Sequence, residues 1–154
     1  MNNRMGIMQG RLLPKYHGRY QAHPVGYWQD EFPKAAELGL DCIEFILDYN
    51  DAEQNPLMSS KGIKDILYVS KNSGVQVKTI CADYFMEAPL HSSSKEIVQE
   101  SQKVLKTLIH HGVQLGISDI VIPCVDQSSL VDEEAKQRFI ENILSSIKLA
   151  EKSK

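Results

Sequence analysis

Several patterns are scarce in this 154-residue chain, and each scarcity excludes a class of protein. Neither sign of charge is in large excess, because 17 Lys and Arg residues stand against 20 acidic residues along the whole sequence. Binding to a nucleic acid requires a concentrated basic surface, so no nucleic-acid partner is expected. No apolar run approaches the roughly 20 residues that cross a bilayer, so no membrane partner is expected either.

Secretion signals and paired cysteines are also lacking. The segment from Met1 to Met5 does not begin the long apolar stretch of a signal peptide. The cysteines, Cys42, Cys81 and Cys124, are odd in number, and each stands in an apolar segment. Reduced, buried thiols in a cytoplasmic protein are the simplest interpretation.

What the chain does contain is a fourfold alternation of strand-like and helix-like segments. The predicted strands are 6–12, 41–48, 75–85 and 119–126. The predicted helices are 28–38, 63–73, one between Ser94 and Gly116, and 135–150. A helix between strands returns the chain to the same end of the sheet, so the strands are predicted to be parallel. No linker or low-complexity tract appears, and we predict one α/β domain over residues 1–154.

The spacing of the strands favours a barrel. They recur about every 35 to 40 residues, close to one-eighth of a (β/α)8 barrel of about 250 residues. Three strands carry a cysteine two positions before an acid, and the acids are Glu44, Asp83 and Asp126. Side chains two apart share a strand face, and the other face of the second strand, with Phe45 and Leu47, suits packing on helices. We therefore predict three carboxylates in register at the C-terminal rim, where barrel active sites lie.

These carboxylates have a functional and a structural interpretation. Metal binding or acid–base chemistry would use Glu44, Asp83 and Asp126 together. The simpler interpretation is that each caps a strand end or pairs with a loop cation, while a hydroxyl-binding role suits at least one of them. We expect no metal to be held by these three side chains.

Other polar residues near the predicted rim are weaker candidates. The segment from Gly6 to Arg11 matches neither phosphate-binding glycine motif. Gln9 and Arg11 share a predicted strand face, so Arg11 either meets an anionic or hydroxylated substrate or forms a salt bridge with Glu44. The histidines form no HxH or HExxH pattern, and His91, in the loop after the third strand, is the one placed to touch a ligand.

With these residues in view, the chain resembles the sugar phosphate isomerase/epimerase family, whose members are xylose-isomerase-like barrels. The resembling stretches are GIMQGRLLP with GRYQAHP, FPKAAELGLDCIEFILD, and KTICADYFMEAPL leading to IVIPCVDQSSL. The resemblance is collinear, covers almost the whole chain, and is most specific in AAELGLDCIE and CADYF. It implies that residues 1–154 are the N-terminal half of a TIM barrel, four βα units acting on a sugar or sugar phosphate.

The resemblance also implies a divalent metal, Mn²⁺, Mg²⁺, Co²⁺ or Zn²⁺, that assists proton transfer next to a carbonyl. Its ligands in the family lie at the ends of strands five to eight, and these 154 residues reach only the fourth helix. We therefore expect no catalytic residue, no bound metal and no turnover from this chain alone. What carries over is the rim that shapes the sugar pocket. Its residues are Gln9, Arg11, Glu44, Asp83, Tyr84, Asp126 and Gln127.

Three alternatives remain open from the sequence. The first is part of a sugar isomerase or epimerase. The second is a non-catalytic half barrel that binds a sugar or a protein and forms a homo-oligomer through its exposed barrel edges, because unpaired strand edges seek partners. The third is a flavodoxin-like receiver or nucleotide domain, against which the first strand lacks a glycine-rich phosphate turn and a neighbouring acid pair.

Overall fold

Four parallel strands form one sheet in the computed structural model, which describes residues 4–153 of the chain. The strands lie side by side in chain order: β1 (Gly6–Met8), β2 (Cys42–Ile46), β3 (Gln76–Cys81) and β4 (Asp119–Val121). At least one α-helix separates each strand from the next, which confirms the predicted series of parallel βα units. A search of these residues finds no helix that is long and apolar enough to cross a membrane.

The α-helices begin and end where local sequence signals allow. The described residues form α1 (Glu31–Glu37), α2 (Ser60–Ser73), α3 (Tyr84–Glu87), α4 (Lys95–Leu115) and α5 (Glu133–Lys152). The Ser94 hydroxyl accepts a hydrogen bond from the Ile97 N–H at the start of α4. Gly116 ends that helix with a φ of 69°, a conformation that favours glycine.

The core lies between the sheet and the helices. Ile43, Phe45 and Leu47 are completely buried and belong to the main hydrophobic cluster, together with side chains of α1, α2 and α4. Cys42 and Glu44, on the opposite face of β2, are partly exposed. The prediction that Ile43, Phe45 and Leu47 face the helices is therefore confirmed, and Cys42 and Glu44 lie on the other face of the sheet.

All four strands end earlier than the sequence predicts; β2 ends at Ile46 instead of residue 48, and the other three ends have a visible cause. The N–H groups of Gly10 and Leu12 turn to the Glu31 carboxylate, so β1 stops before residue 12. The Tyr84 N–H donates to the Leu47 carbonyl at 2.8 Å and begins α3, so β3 does not reach residue 85. Pro123 has no N–H to continue the ladder, and β4 ends at residue 121 instead of 126.

The three Cys–acid pairs are not in register, and this prediction is wrong. The pairing of β2 with β3 shifts between Ile43 and Glu44, so that Glu44 lies opposite Thr79 and Ile46 lies opposite Cys81. The third acid, Asp126, lies outside β4 and begins a short 3-10 helix with a φ of 49°. The register between neighbouring strands therefore depends on a bulge and on loop contacts, and the repeat in the sequence shows neither.

Both edges of the sheet are open. β1 and β4 each pair with one strand among residues 4–153. A groove of about 560 Å³ runs beside β4 between α4 and α5, and its apolar lining includes Ile120, Ile143 and Ile147. Apolar side chains near this groove are exposed in a band formed by Val121, Val125, Val131, Ile140 and Leu144. Together the groove and the band, here called the β4 edge, form an unpartnered apolar surface.

Candidate functional site

The loop between β1 and α1 forms a hairpin over residues 11–21, here called the first-loop hairpin. Tyr16 and Arg19 exchange two backbone hydrogen bonds, with N–O distances of 2.9 and 3.0 Å. Between them His17 and Gly18 have φ values of 46° and 78°. Positive φ at both central residues is the geometry of a type I′ turn, which joins two antiparallel segments tightly.

The first-loop hairpin is fastened to the chain that follows β2. The Arg19 guanidinium donates to the Asp48 carboxylate at 3.0 Å, and the His23 N–H donates to its other oxygen at 2.8 Å. The Tyr16 hydroxyl donates to Asp51 at 3.1 Å. Asp48 is buried, so its charge is held by these two partners instead of by water. The hairpin therefore lies at the C-terminal end of β2.

A second buried carboxylate holds the turn that leads into the hairpin. Glu31 has no exposed surface and accepts hydrogen bonds from the N–H groups of Gly10 at 2.7 Å and Leu12 at 3.0 Å. Burial raises the pKa of Glu31, while these bonds and one from the Arg11 N–H act in the opposite direction. The role of Glu31 is not predictable from the sequence, because a single acid at the start of a helix is an ordinary surface feature.

Gln9 lies inside the protein and pairs with His23. The Ile46 N–H donates to Gln9 Oε1 at 3.0 Å, which fixes that oxygen as the acceptor. The imidazole Nδ1, 3.2 Å from the same oxygen, must therefore carry the hydrogen. Burial lowers the pKa of His23 to about 4, so the ring is neutral at physiological pH. Gln9 Nε2 and His23 Nε2 are buried without a hydrogen-bond partner.

Arg11 does not accompany Gln9. Its side chain is exposed on the first-loop hairpin, where it donates to Gln21 Oε1 at 3.2 Å. The predicted shared face of Gln9 and Arg11 is wrong, because the chain turns at Gln9 instead of continuing as a strand. The alternative salt bridge between Arg11 and Glu44 does not form.

One buried thiol, that of Cys81 at the end of β3, contacts Asp83 and is affected by the charge of Glu44 on β2. Cys81 Sγ donates to Asp83 Oδ1 at 3.2 Å. Burial raises the pKa of the Cys81 thiol strongly, and the charges of Asp83, Glu44 and Asp48 raise it further. The thiol therefore stays protonated and is no nucleophile. Of the predicted site residues, Asp83 therefore contacts this thiol, whereas Glu44 affects it through charge alone. Asp48, which the sequence did not single out, also affects it through charge alone.

Two tyrosines lie beside this region, in the segments that follow β2 and β3. The Tyr84 ring is buried and its centroid is 5.1 Å from that of the exposed Tyr49. Burial raises the pKa of Tyr84, with a further contribution from the charge of Glu100, so its phenol stays protonated. Tyr84 was predicted, whereas Tyr49 was not.

The remaining candidates lie on the far side of the rim. Asp126 and Gln127 are exposed after β4, and Gln127 Nε2 donates to Glu87 at the end of α3 over 2.8 Å. His91 is buried against Phe139 of α5, with ring centroids 6.5 Å apart. Burial and the charge of Arg138 lower the pKa of His91. No contact joins these residues to the carboxylates around Cys81.

The part of the chain that the structure describes does not fit a metal of the kind that the resemblance implies. No group of three or more His, Cys, Asp or Glu side chains in residues 4–153 is placed to hold an ion. Glu44 lies opposite Thr79, Asp83 lies beyond the end of β3, and Asp126 starts a separate 3-10 helix, so the three carboxylates do not form a set. The rim is therefore described as a polar surface and not as a metal centre.

Comparison with known proteins supports the resemblance seen in the sequence. No protein-family model matches the chain. A Haemophilus influenzae protein provisionally named L-ribulose-5-phosphate 3-epimerase SgbU is 28% identical over 125 residues, which are 80% of this chain and 44% of that protein. A crystal structure of D-psicose 3-epimerase with D-tagatose, from Clostridium cellulolyticum H10, superposes with a TM-score of 0.70 at 17% identity.

Both matches cover most of this chain and about half of the matched protein. The superposition covers 98% of this chain and 50% of the epimerase structure, so the chain spans about half the length of the proteins it matches. The four-stranded parallel sheet corresponds to half of a TIM barrel. The resemblance to xylose-isomerase-like sugar epimerases and isomerases is thereby confirmed over that part of the barrel.

Proposed function

We propose that this chain supplies the first half of the substrate pocket of a sugar or sugar-phosphate epimerase or isomerase. The observation that carries the proposal is the position of Asp83, which follows the C-terminal end of β3 in a parallel sheet and accepts a hydrogen bond from Cys81. Barrel enzymes bind their substrates at this end. The relative from Haemophilus influenzae supports a sugar class of substrate, and the two matched proteins differ in whether the sugar in their names carries a phosphate.

The proposed roles follow from the chemistry of each side chain. Ionised carboxylates only accept hydrogen bonds, so Glu44 and Asp83 would accept from sugar hydroxyls. Because Tyr84 is buried, the exposed ring of Tyr49 beside it would offer the apolar surface to the carbon skeleton. Gln127, tied to Glu87, has both a donor and an acceptor for a hydroxyl at the opposite rim. The first-loop hairpin would exclude water from the pocket beside β2.

The reaction itself is not assigned to these residues. By the resemblance, the metal ligands stand on strands five to eight, and the described residues do not fit a metal. The proposal is therefore that residues 1–154 by themselves bind the sugar without converting it. A cytoplasmic location is part of the proposal, supported by three free cysteines that form no disulfide.

The test is a calorimetric titration of the chain with L-ribulose 5-phosphate. Asp83→Asn keeps the size of the side chain but removes the charge, and we expect at least about a tenfold loss of affinity, since a hydrogen bond to a charged group contributes about 1.5–3 kcal/mol. Asp65→Asn, an exposed acid on α2 that pairs with Lys61, is the matched control and should bind as the parent chain does.

Two results would contradict the proposal. Equal affinity of the parent chain and Asp83→Asn would remove that carboxylate from the pocket. Formation of an epimer that depends on added Mn²⁺ would show that residues 1–154 convert the sugar themselves. Circular dichroism of both variants shows whether a loss of binding reflects unfolding.

A second candidate is a self-associating half barrel that binds without catalysis. The β4 edge favours it, because soluble proteins rarely leave a band such as Val131, Ile140 and Leu144 exposed beside an unpaired strand. The occupant that we propose is a second copy of this chain, which offers the open edge of β1. The superposition covers 50% of the matched epimerase chain, so a second copy of this chain would supply about the same length again.

A further inference from the structure

We propose that Cys81 is a positioning residue of the sugar pocket, because its thiol holds one oxygen of the Asp83 carboxylate and leaves the other oxygen to accept from a sugar hydroxyl. This inference rests on the proposed function and deepens it, since it names the group that orients the carboxylate. It is carried by the hydrogen bond between the two side chains, by the fixed backbone on either side of Asp83 and by the surroundings of the thiol.

The backbone is held on both sides of Asp83. The Ala82 N–H donates to the Val121 carbonyl of β4 at 2.9 Å, and the Tyr84 N–H donates to the Leu47 carbonyl at 2.8 Å. Both of these neighbours of Asp83 are buried. The main chain of Asp83 is therefore fixed by the sheet, and the rotation of its side chain decides where the carboxylate points.

The Asp83 carboxylate does not take the partner that its position in the chain offers. Asp83 directly precedes α3, where the side chain of an aspartate commonly accepts a hydrogen bond from a backbone N–H of the first turn. No such bond forms, and Oδ1 accepts instead from Cys81 Sγ at 3.2 Å. Within residues 4–153 this is the only hydrogen bond to the carboxylate, and Asp83 is partly exposed. The second oxygen, Oδ2, is therefore available to a ligand.

The Cys81 thiol is suited to orient a carboxylate because it stays a neutral donor. Cys81 is buried, which raises the pKa of its thiol, and the charges of Asp83, Glu44 and Asp48 raise this pKa further. A thiolate would repel the carboxylate, whereas a protonated thiol has one hydrogen to donate. The thiol therefore remains a donor to Asp83 throughout the physiological pH range.

The consequence of this contact is an effect on affinity. A carboxylate that is already oriented binds a hydroxyl more tightly than one that rotates freely, because less side-chain entropy is lost on binding. The effect requires the carboxylate, so it should disappear when Asp83 is replaced. A role of Cys81 in packing alone would change the stability of the protein and leave the affinity of the folded state unaltered.

The experiment is a double-mutant cycle on Cys81 and Asp83, measured by calorimetric titration with L-ribulose 5-phosphate. Cys81→Ala removes the donor and should weaken binding at least about threefold, whereas Cys81→Ser retains a donor and should bind within about twofold of the parent. In the Asp83→Asn background, Cys81→Ala should cause no further loss. Cys42→Ala is the control, because it removes a thiol at the N-terminal end of β2 that lies against the Met5 carbonyl.

A second measurement follows the hydrogen bond itself. The infrared S–H stretching band that is absent from Cys81→Ser belongs to the Cys81 thiol. Its frequency should rise in Asp83→Asn, because a neutral amide oxygen accepts more weakly than a carboxylate. Adding the sugar to the parent chain should also shift the band, since Asp83 then accepts from a hydroxyl as well.

The outcomes separate this inference from the proposed function. Unchanged affinity in folded Cys81→Ala, or an equal loss with and without the Asp83 carboxylate, overturns the positioning role alone. Failure of the folded parent to bind the sugar, or parental affinity in Asp83→Asn, overturns the proposed function and the positioning role together. If Cys81→Ala does not fold, the infrared band decides, because a band that bound sugar does not shift also overturns the positioning role.

Discussion

Single buried polar residues hold the rim of this half barrel in place. Gln9, Glu31 and Asp48 are each buried, and each accepts a hydrogen bond from a backbone N–H of a segment far away in sequence. A buried acceptor without a partner would cost free energy, so these bonds make the first-loop hairpin and the strand ends depend on one another.

At this scale the first prediction concerns His23 and pH. The folded state keeps the ring neutral because burial lowers its pKa to about 4, whereas the unfolded ring titrates near its ordinary value of about 6.5. The His23 contribution to stability is therefore complete above pH 6.5 and is lost as pH falls from 6.5 towards 4, by about 3 kcal/mol. Urea unfolding at pH 7 and at about pH 4.5 measures this difference.

The comparison variant for this prediction is His23→Gln, which has no group that titrates in this range. Its free energy of unfolding should fall less between the two pH values than that of the parent. Glu31, whose pKa burial raises, acts in the opposite direction in both proteins and does not affect the comparison. An equal pH dependence in the two proteins would mean that His23 is not held neutral by the fold.

Elements were predictable where their signals are local. Ser94 and Gly116 mark the ends of α4 because a hydroxyl and a residue able to take positive φ meet the needs of the helix within one turn. The end of β3 was not predictable, because the apolar run continues through Ala82 and Phe85. The strand stops where Tyr84 donates to Leu47 of the neighbouring segment, a contact that no local pattern shows.

The residues of the candidate site also fall into two groups, those that a local pattern predicts and those that depend on contacts distant in sequence. Glu44 was found because alternation along β2 places it on the face opposite Phe45, whereas Asp83 lies beyond the end of β3 and was found only from its position two residues after Cys81. Asp48 and Glu31 were missed because their partners belong to the first-loop hairpin and the turn before it, and that hairpin lacks an Asn-Gly or Asp-Gly turn. The register of the three Cys–acid pairs failed because a bulge shifts β3 against β2.

The prediction at the scale of elements tests whether the first-loop hairpin packs closely against Gly10, just after β1. Gly10 has a φ of 87°, and a Cβ there would lie 2.2 Å from the Tyr20 carbonyl oxygen. Gly18 has a φ of 78° with nothing within 4 Å of a built Cβ. Gly18→Ala should cost about 1 kcal/mol of stability for the conformation alone, and Gly10→Ala about 3 kcal/mol or more, because it adds a clash with backbone. Equal losses in urea unfolding would show that the hairpin does not press against Gly10.

For the whole molecule, half of a barrel is well packed on its helix side and open along its strands. The main cluster buries side chains from α1, α2, β2 and β3, whereas β4 has partly exposed residues on both faces. At the carboxyl ends of the strands, the rim is therefore supported by buried packing at β2 and β3. At β4 the same sheet is less covered. Cover for the β4 edge would complete the pocket wall near Gln127.

The last prediction tests that cover. If a second copy packs on the β4 edge, light scattering after size-exclusion chromatography should give a mass above that of one 17.4 kDa chain. Ile140→Glu/Leu144→Glu places two charges in the exposed band and should weaken the association at least about tenfold, since burying each of these side chains contributes about 1.5–3 kcal/mol. Leu67→Glu, an equally exposed leucine on α2, is the control and should associate as the parent does. A parent chain that stays monomeric at every concentration would contradict a second copy as the occupant of the β4 edge.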